Sequence, residues 1–248
     1  INGADEFGRR LLDEASAEFV VGYGQGGDVY ADDVSLSPQG LHFVIEGNGV
    51  EFDVTTPLIG SINVPNLEML VACLLSLSTP VDEIQRILAE LKPAPGRMEL
   101  FTAPAKPRVV VDYAHTPDAL DKALRSITPH CDGALWCVFG CGGDRDRAKR
   151  PVMGKAAESH ARHVVITNDN PRSEDPQHIA DEIAAGVEGA HTVILDRADA
   201  IQYAVSHANE SDWVLVAGKG HESTQTIGQQ VLDFSDREFV AALMEVAQ

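Results

Sequence analysis

From about residue 108 onward, short apolar runs alternate with amphipathic segments. The apolar runs predict five buried strands: Val109–Val111, Leu135–Phe139, Val164–Thr167, Thr192–Leu195 and Trp213–Ala217. The segments between and around them predict helices near Pro117–Ile127, Pro151–His160, Pro176–Gly186 and Arg197–His207. Strict alternation of strand and helix is typical of right-handed crossovers in a parallel sheet covered on both faces. The pattern therefore predicts a Rossmann-like, doubly wound α/β domain with a mostly parallel sheet.

The first part of the chain has a different pattern. Short alternating segments separated by glycine-rich turns predict antiparallel strands, with a hairpin turn at Gly47-Asn48-Gly49. An apolar helix is expected from about Val64 to Leu77, followed by a second helix that Thr79 would cap. The run Lys92-Pro93-Ala94-Pro95-Gly96 then breaks the chain, so we predict two domains, residues 1–93 and 94–248.

Two signals mark the end of the second domain. A hairpin is predicted around Gly228-Gln229. Ser235-Asp236-Arg237-Glu238 has the sequence of a capping box, and it predicts a helix through Phe239, Val240, Leu243 and Val246.

Composition and charge narrow the classes of function. The chain has 248 residues, 44% of them hydrophobic, which is enough for a sizeable core. A formal net charge of −19 argues against nucleic acid or an anionic membrane as a partner. Small anions remain possible ligands where local Arg, Lys or helix N-termini override the overall field. No basic leader or long apolar run occurs, and the chain starts at Ile1, so we expect a cytoplasmic segment of a longer protein.

The four cysteines, Cys73, Cys131, Cys137 and Cys141, include no CxxC pair. Their number is too small for a disulfide framework in a chain of this size, so reduced thiols are expected. The spacing of Cys137 and Cys141 favours core packing over metal binding, because no other ligand pair accompanies them.

Polar clusters follow four of the predicted strands. They are Asp112-Tyr113-Ala114-His115-Thr116-Pro117, Gly140-Cys141-Gly142-Gly143-Asp144-Arg145-Asp146-Arg147, Asp169-Asn170-Pro171-Arg172 and Gly218-Lys219-Gly220-His221-Glu222. The carboxyl ends of parallel strands meet at one edge of the sheet, and that edge binds ligands in open α/β folds. The four clusters together therefore predict one site.

Each cluster also has a simpler interpretation. Asp169 and Asn170 could form an Asx turn, with Arg172 as a solvated surface charge. The glycines at 140–143 lack the spacing of the GxGxxG dinucleotide fingerprint. Lys219 lies between two glycines, but the cluster has neither the spacing nor the Ser or Thr of a P-loop.

Two features favour ligand binding over these simpler interpretations. His115 lies close to Asp112 at the end of a strand, where a ligand role is favoured over a purely structural one. The acidic chain has one basic concentration: Arg145, Arg147, Lys149 and Arg150. It could be a solvated face, but positive charge beside a glycine-rich loop suits a carboxylate or phosphate better.

The motifs resemble those of the Mur ligases, and within that family the members that add meso-diaminopimelate. The resemblance covers essentially the whole chain. It is carried by Gly96-Arg97-Met98-Glu99 and by the four strand-end clusters, with Asp169-Asn170-Pro171-Arg172 as the motif that selects the amino acid. The resemblance implies that residues 1–93 are the rear part of a central α/β ATPase domain and that 94–248 form the amino-acid-binding domain. The family's UDP-sugar domain, P-loop and metal-binding residues would lie upstream.

The resemblance also implies an activity. An ATP-dependent ligase of peptidoglycan synthesis would phosphorylate the glutamate carboxylate of UDP-N-acetylmuramoyl-L-alanyl-D-glutamate. The amine of meso-diaminopimelate would then attack the acyl phosphate. ATP would be a substrate, Mg²⁺ would be held by ligands outside this chain, and the protein would be a monomer with small-molecule partners only. This chain alone would be inactive.

Site residues are implied position by position. Nucleotide contacts would come from Arg97, Asp112 and His115, with Asn66 near the adenine, although Asn63 or Asn66 could instead cap the next helix. The diaminopimelate contacts would be Arg145, Asp169, Asn170, Pro171, Arg172, Gly218 and Glu222.

Three alternatives stay open at this point. They are a lysine-adding ligase of the same fold, the more remote folylpolyglutamate synthetase, and a nucleotide- or amino-acid-binding module without chemistry. Arg172 argues against lysine, which has no distal carboxylate for a guanidinium to bind.

Overall fold

The computed structural model describes residues 1–245. It divides the chain into two compact units, Ile1–Lys92 and Pro93–Gln248, a division one residue before the boundary expected from the sequence. Val246, predicted to lie in the last helix, falls outside the described residues.

The first unit is an antiparallel sheet packed against helices. Its elements are α1 (Glu6–Glu14), β1 (Val29–Ser37), β2 (Gly40–Gly47), β3 (Val50–Thr56), α2 (Val64–Ser76) and α3 (Val81–Ala89). The sheet order is β1-β2-β3, and β2 and β3 pair around the predicted hairpin turn. Residues from β2, β3, α2 and α3 share one core, which includes the fully buried Phe43, Val71 and Leu88.

Two details of this unit differ from the sequence prediction. Helix α1 was not predicted; Asp5 caps it by accepting from Gly8 N, but the helix buries only Gly8 and so has little apolar signal. Thr79 was wrongly predicted as the cap of α3. Pro80 occupies the N-cap position, without a side-chain hydrogen bond to the helix.

The second unit is built around a six-stranded sheet. Its strands are β4 (Glu99–Phe101), β5 (Arg108–Asp112), β6 (Leu135–Phe139), β7 (His163–Ile166), β8 (His191–Val193) and β9 (Trp213–Ala217), followed by the hairpin β10 (Thr224–Ile227) and β11 (Gln230–Asp233). Its helices are α4 (Pro117–Ile127), α5 (Lys149–His160), α6 (Pro176–Ala184), α7 (Arg197–His207) and α8 (Asp236–Met244). The sheet order is β4-β5-β9-β6-β7-β8. Only the β4–β5 pairing is antiparallel in this sheet, so the predicted mostly parallel α/β fold is confirmed.

Both faces of this sheet are covered. Residues Val109, Val138 and Val214 share a core with α7 and α8. Their neighbours in sequence, such as Val110 and Leu215, point to the opposite face because strand side chains alternate, and they are also fully buried. The late strand β9 inserts between β5 and β6, which places its polar loop in the middle of the carboxyl edge.

Side-chain caps start the helices that follow the loops after β5 and β7, whereas α5, after the loop of β6, has none. Thr116 caps α4, and Asp175 caps α6 by accepting from Gln177 N, with Pro176 in the first turn as predicted. Ser235 caps α8 by accepting from Glu238 N. These caps fix where each loop ends and therefore which residues remain at the sheet edge.

The cysteines behave as the sequence indicated. All four are free, and Cys137 and Cys141 are buried. The Sγ atom of Cys141 lies 3.5 Å from Sδ of Met153, and burial raises the pKa of this thiol to about 12. Both residues therefore pack in the core, as predicted. Within residues 1–245, no helix is long and apolar enough to cross a membrane.

Candidate functional site

A cavity of about 560 Å³ lies at the carboxyl edge of the six-stranded sheet. It is lined from the loops after β5, β6, β7 and β9: Tyr113, His115, Thr116, Gly140, Gly142, Arg145, Asp146, Lys149, Asp169, Asn170, Arg172, Gly218 and Glu222. The structure thus brings the four predicted clusters together. Five of the seven residues predicted to bind diaminopimelate are charged or polar side chains on this cavity, and Gly218 joins them.

The loops after β6 and β7 are fastened to each other. Gly143 N donates to Asn170 O at 2.9 Å, and the Asp144 carboxylate accepts from both N and Oγ of Ser173, at 3.2 and 2.6 Å. A Cβ atom on Gly143 would lie 1.9 Å from Pro171 O, so the contact requires glycine. Pro171 itself is buried in this contact and does not line the cavity, which makes it a framework residue of the loop.

Arg172 is fixed by hydrogen bonds of its backbone N–H, its backbone carbonyl and its guanidinium. Its backbone adopts the left-handed conformation (φ 53°) and pairs with the β10–β11 hairpin, through Thr226 O and Gly228 N. Its Nη1 donates to Gly143 O at 2.9 Å. Among the described residues, Nε and Nη2 have no hydrogen-bond partner, so the guanidinium keeps donors for a carboxylate.

The side-chain amide of Asn170 is hydrogen-bonded within the protein through both its nitrogen and its oxygen. Its Nδ2 donates to Asp169 Oδ1 at 3.1 Å and to Glu222 Oε2 at 3.0 Å, while its Oδ1 accepts from Thr226 N at 2.9 Å. Asp169 Oδ1 also accepts from Asn170 N at 2.7 Å, a bond to the next residue. An Asx turn needs a donor two residues on, and Pro171 has no N–H, so the Asx-turn interpretation is wrong for Asp169. Asn170 thus orients Asp169 and Glu222, two of the three carboxylates that line the cavity.

Lys219 is a site residue that the sequence analysis missed. It is fully buried, and its Nζ donates to Glu222 Oε2 at 3.1 Å and to Thr224 O at 2.5 Å. Lys219 and Asn170 therefore both donate to Glu222 Oε2 and hold this carboxylate through one oxygen. The available signal was a lysine two residues beyond the end of a fully apolar strand, because an ammonium buried there needs a carboxylate partner.

Two members of the basic run do not line the cavity, so the anion-binding interpretation does not hold for them. Arg150 is fully buried, and its guanidinium donates to Glu174, Glu182 and the carbonyl of Gly142. Arg147 is exposed and pairs with Glu182. Hydrogen bonds from these arginines lower the pKa of Glu174 and of Glu182 to about 2. Both arginines are therefore neutralised within the protein.

The other two members of the run do line the cavity. Lys149 Nζ donates to His115 O at 2.8 Å, and Arg145 Nη1 donates to Asp144 O at 2.9 Å. Among the described residues neither cation has a carboxylate partner, so both contribute positive charge to the cavity.

Asp112, predicted to contact nucleotide, is bonded to the backbone. It is 8% exposed, and its two oxygens accept from Ala114 N at 2.8 Å and from Met98 N at 2.9 Å. It ties the end of β5 to the segment before β4 and does not line the cavity.

The other predicted nucleotide residues of this unit gather around one ring. The Arg97 guanidinium lies 4.6 Å from the centre of the Tyr113 ring, and the His115 ring lies 4.6 Å from it on an edge. His221 is a further neighbour at 5.2 Å. The result is a group of cationic and aromatic side chains, of which Tyr113 and His115 line the cavity.

Asn66 lies in the other unit, exposed in the first turn of α2, and its Nδ2 donates to Asn63 Oδ1 at 3.3 Å. The capping alternative is wrong for Asn66, which lies inside the helix, and holds for Asn63 in position only. Asn63 occupies the N-cap position but donates its amide to Ile59 O and makes no side-chain cap bond.

No metal centre is formed by the residues that the structure describes, since no group of three or more His, Cys, Asp or Glu is arranged to hold an ion.

The fold and cavity define an open α/β domain whose sheet edge carries a cavity lined by side chains of both charges. A family model described as Mur ligase, glutamate ligase domain, matches residues 96–220, and the chain belongs to the Mur ligase family. It is 48% identical over 246 residues to the UDP-N-acetylmuramoyl-L-alanyl-D-glutamate–2,6-diaminopimelate ligase of Alkalilimnicola ehrlichii, covering 97% of this chain and 49% of that protein.

Two further comparisons agree. The protein with the same name from Coxiella burnetii is 44% identical over 248 residues, with 96% of this chain and 51% of that protein covered. A solved structure of a ligase of that name superposes with a TM-score of 0.74 at 35% identity, covering 98% of this chain and 52% of that one. The chain spans about half the length of the curated relatives it matches.

Proposed function

We propose that this chain forms the amino-acid-binding half of an ATP-dependent ligase that adds meso-diaminopimelate to UDP-N-acetylmuramoyl-L-alanyl-D-glutamate. The main support is the charge arrangement of the cavity. Arg145 and Arg172 contribute positive charge, and Asp169 and Glu222 contribute negative charge. The distal end of meso-diaminopimelate carries a carboxylate and an ammonium, so it is complementary to such a cavity. The names of the relatives point the same way.

In this proposal each group has a simple task. The free donors of Arg172, with Arg145 beside the same cavity, bind the distal carboxylate. Glu222, Asp169 and a carbonyl oxygen near Gly218 accept from the distal ammonium. No residue of the chain acts as a nucleophile. The bound amino acid presents its other amine to an acyl phosphate formed from ATP and the glutamate carboxylate, and the amide forms as inorganic phosphate leaves.

The proposal is tested directly by titrating the 248-residue chain, in a calorimeter, with meso-diaminopimelate and with L-lysine. We expect binding of meso-diaminopimelate and at least tenfold weaker binding of lysine, because lysine leaves the Arg172 donors unpaired. Equal binding of the two amino acids would favour the lysine-adding alternative and contradict the assignment.

We expect the 248-residue chain alone to release no phosphate from ATP in the presence of both other substrates. Within residues 1–245 there is neither a P-loop sequence nor a cluster of metal ligands to hold the triphosphate. A phosphate-release assay with each substrate omitted in turn checks this. Release that depends on all three substrates would show that the chain is catalytically complete.

We expect Asp112→Ala, made in the complete ligase, to raise the KM for ATP about tenfold. The change removes the acceptor for two amide donors and frees the loop that carries Tyr113 and His115. The control is Asp118→Ala, an exposed carboxylate two positions into the following helix. Unchanged ATP kinetics in a folded Asp112 variant would leave this residue a purely structural role.

A further inference from the structure

Arg197, the first residue of α7, carries a charge in a fully buried position. It forms a two-bond pair with Asp236 at the start of α8, from Nε to Oδ1 and from Nη2 to Oδ2, both at 2.7 Å. Neither side chain is exposed. A buried ion pair of this kind is weak support for stability as such, because desolvation offsets much of the attraction. Stability alone therefore does not explain why a charged pair occupies this buried position.

The guanidinium also binds two strand ends. Nη1 donates to Asn168 O and Nη2 to Ala217 O, each at 3.0 Å. Asn168 and Ala217 directly precede Asp169 and Gly218, which both line the cavity. The strands concerned, β7 and β9, are not neighbours, since β6 lies between them. No ladder bond of the sheet joins these two ends, and Arg197 supplies a direct link.

The two linked residues are in close contact with each other. A Cβ atom on Gly218 would lie 2.8 Å from Asp169 Oδ2 and 3.9 Å from Arg197 Nη2. Gly218 has φ +120°, a conformation that favours glycine. With no side chain between the loops, a displacement of one strand end changes the distance between Asp169 and the Gly218 backbone directly.

We infer that Arg197, oriented by Asp236, is a positioning residue that sets the spacing of Asp169 and Gly218 for the ammonium end of the bound amino acid. The inference rests on the proposed function for the identity of that ligand. Arg197 does not line the cavity, so it acts through the two carbonyls. A planar fork is needed to reach a carboxylate and two carbonyls at once, and a lysine ammonium has only three donors on one atom.

The kinetic test uses two variants of the complete ligase, Arg197→Lys and the double variant Arg197→Met with Asp236→Leu. We expect both to raise the KM for meso-diaminopimelate between about 10-fold and 100-fold, because the charged groups are misplaced, with the KM for ATP within about twofold. The double variant should keep a Tm close to the wild type, since replacing both buried partners by apolar residues is often neutral or stabilising. The control is Arg125→Met, an exposed arginine of α4.

A purely structural role gives a different result. In that case the double variant would recover the KM for meso-diaminopimelate together with its Tm, which would overturn the inference.

A second measurement needs no substrate. In hydrogen exchange on the 248-residue chain, the double variant should exchange the amides of Asn170 and Gly218 at least about tenfold faster, with that of Val138 in β6 unchanged. Unchanged rates at both loops would overturn the inference. Failure of the wild-type ligase to use meso-diaminopimelate would refute the proposed function, whereas the exchange rates would still decide whether Arg197 holds the two strand ends.

Discussion

Replacing Arg172 by Ala in the complete ligase is expected to reduce kcat/KM for meso-diaminopimelate by about 30-fold or more. Removing one partner of a shielded charge pair costs roughly 2–5 kcal/mol, and about 1.4 kcal/mol corresponds to a factor of ten. The guanidinium is already anchored to Gly143 O through Nη1, so little conformational entropy remains to be lost when the other nitrogens bind a carboxylate.

Lysine distinguishes recognition from loop support. Because lysine lacks the distal carboxylate, its poor use should change little, or improve once the unpaired arginine is gone. The measurement is kcat/KM for both amino acids in the wild type and the variant, with Arg125→Ala as an exposed control. Equal losses for both amino acids would mean that Arg172 supports the loop through Gly143 and Asn170, and the specificity assignment would be withdrawn.

The sequence was sufficient to predict the positions of the parallel strands and the edge on which the site lies. Strands such as Leu135–Phe139 and Trp213–Ala217 are buried on both faces, so they read as continuous apolar runs with sharp ends. The polar residues after those ends could therefore be assigned to one edge without knowing the strand order. The two short elements that escaped prediction, α1 and β4, bury too few residues to leave such a pattern.

The roles of individual charges could not be predicted in the same way. Arg150 and Lys149 are adjacent in sequence, yet one is buried and paired while the other lines the cavity. The difference comes from Glu174, just before α6, and Glu182, within α6. Both glutamates contact Arg150 only in the folded unit. Arg197 was missed for the same reason, because its partners lie 20 to 39 residues away along the chain.

Replacing Arg150 by Met is expected to destabilise the protein by about 3–5 kcal/mol, the cost of breaking a buried pair from one side. Two carboxylates that share this guanidinium, Glu174 and Glu182, would then lose their buried cation. At about 2–4 °C per kcal/mol for a protein of this size, Tm should fall by roughly 6–20 °C. The matched control is Arg147→Met, which removes an exposed arginine from the same Glu182 and should change Tm far less.

The dependence of this loss on pH identifies its cause. In the folded protein the pKa of both glutamates is held at about 2, mainly by the arginine hydrogen bonds, below the ordinary value of about 4.3. A lowered pKa stabilises the folded state fully above about pH 5 and progressively less as the pH falls toward 2. The gap in unfolding free energy between wild type and Arg150→Met, measured by urea denaturation, should therefore be largest near neutral pH and should narrow below pH 4. A gap that stays constant down to pH 2.5 would mean that Arg150 stabilises the two loops through its packing and its bond to Gly142 O, and not through its charge.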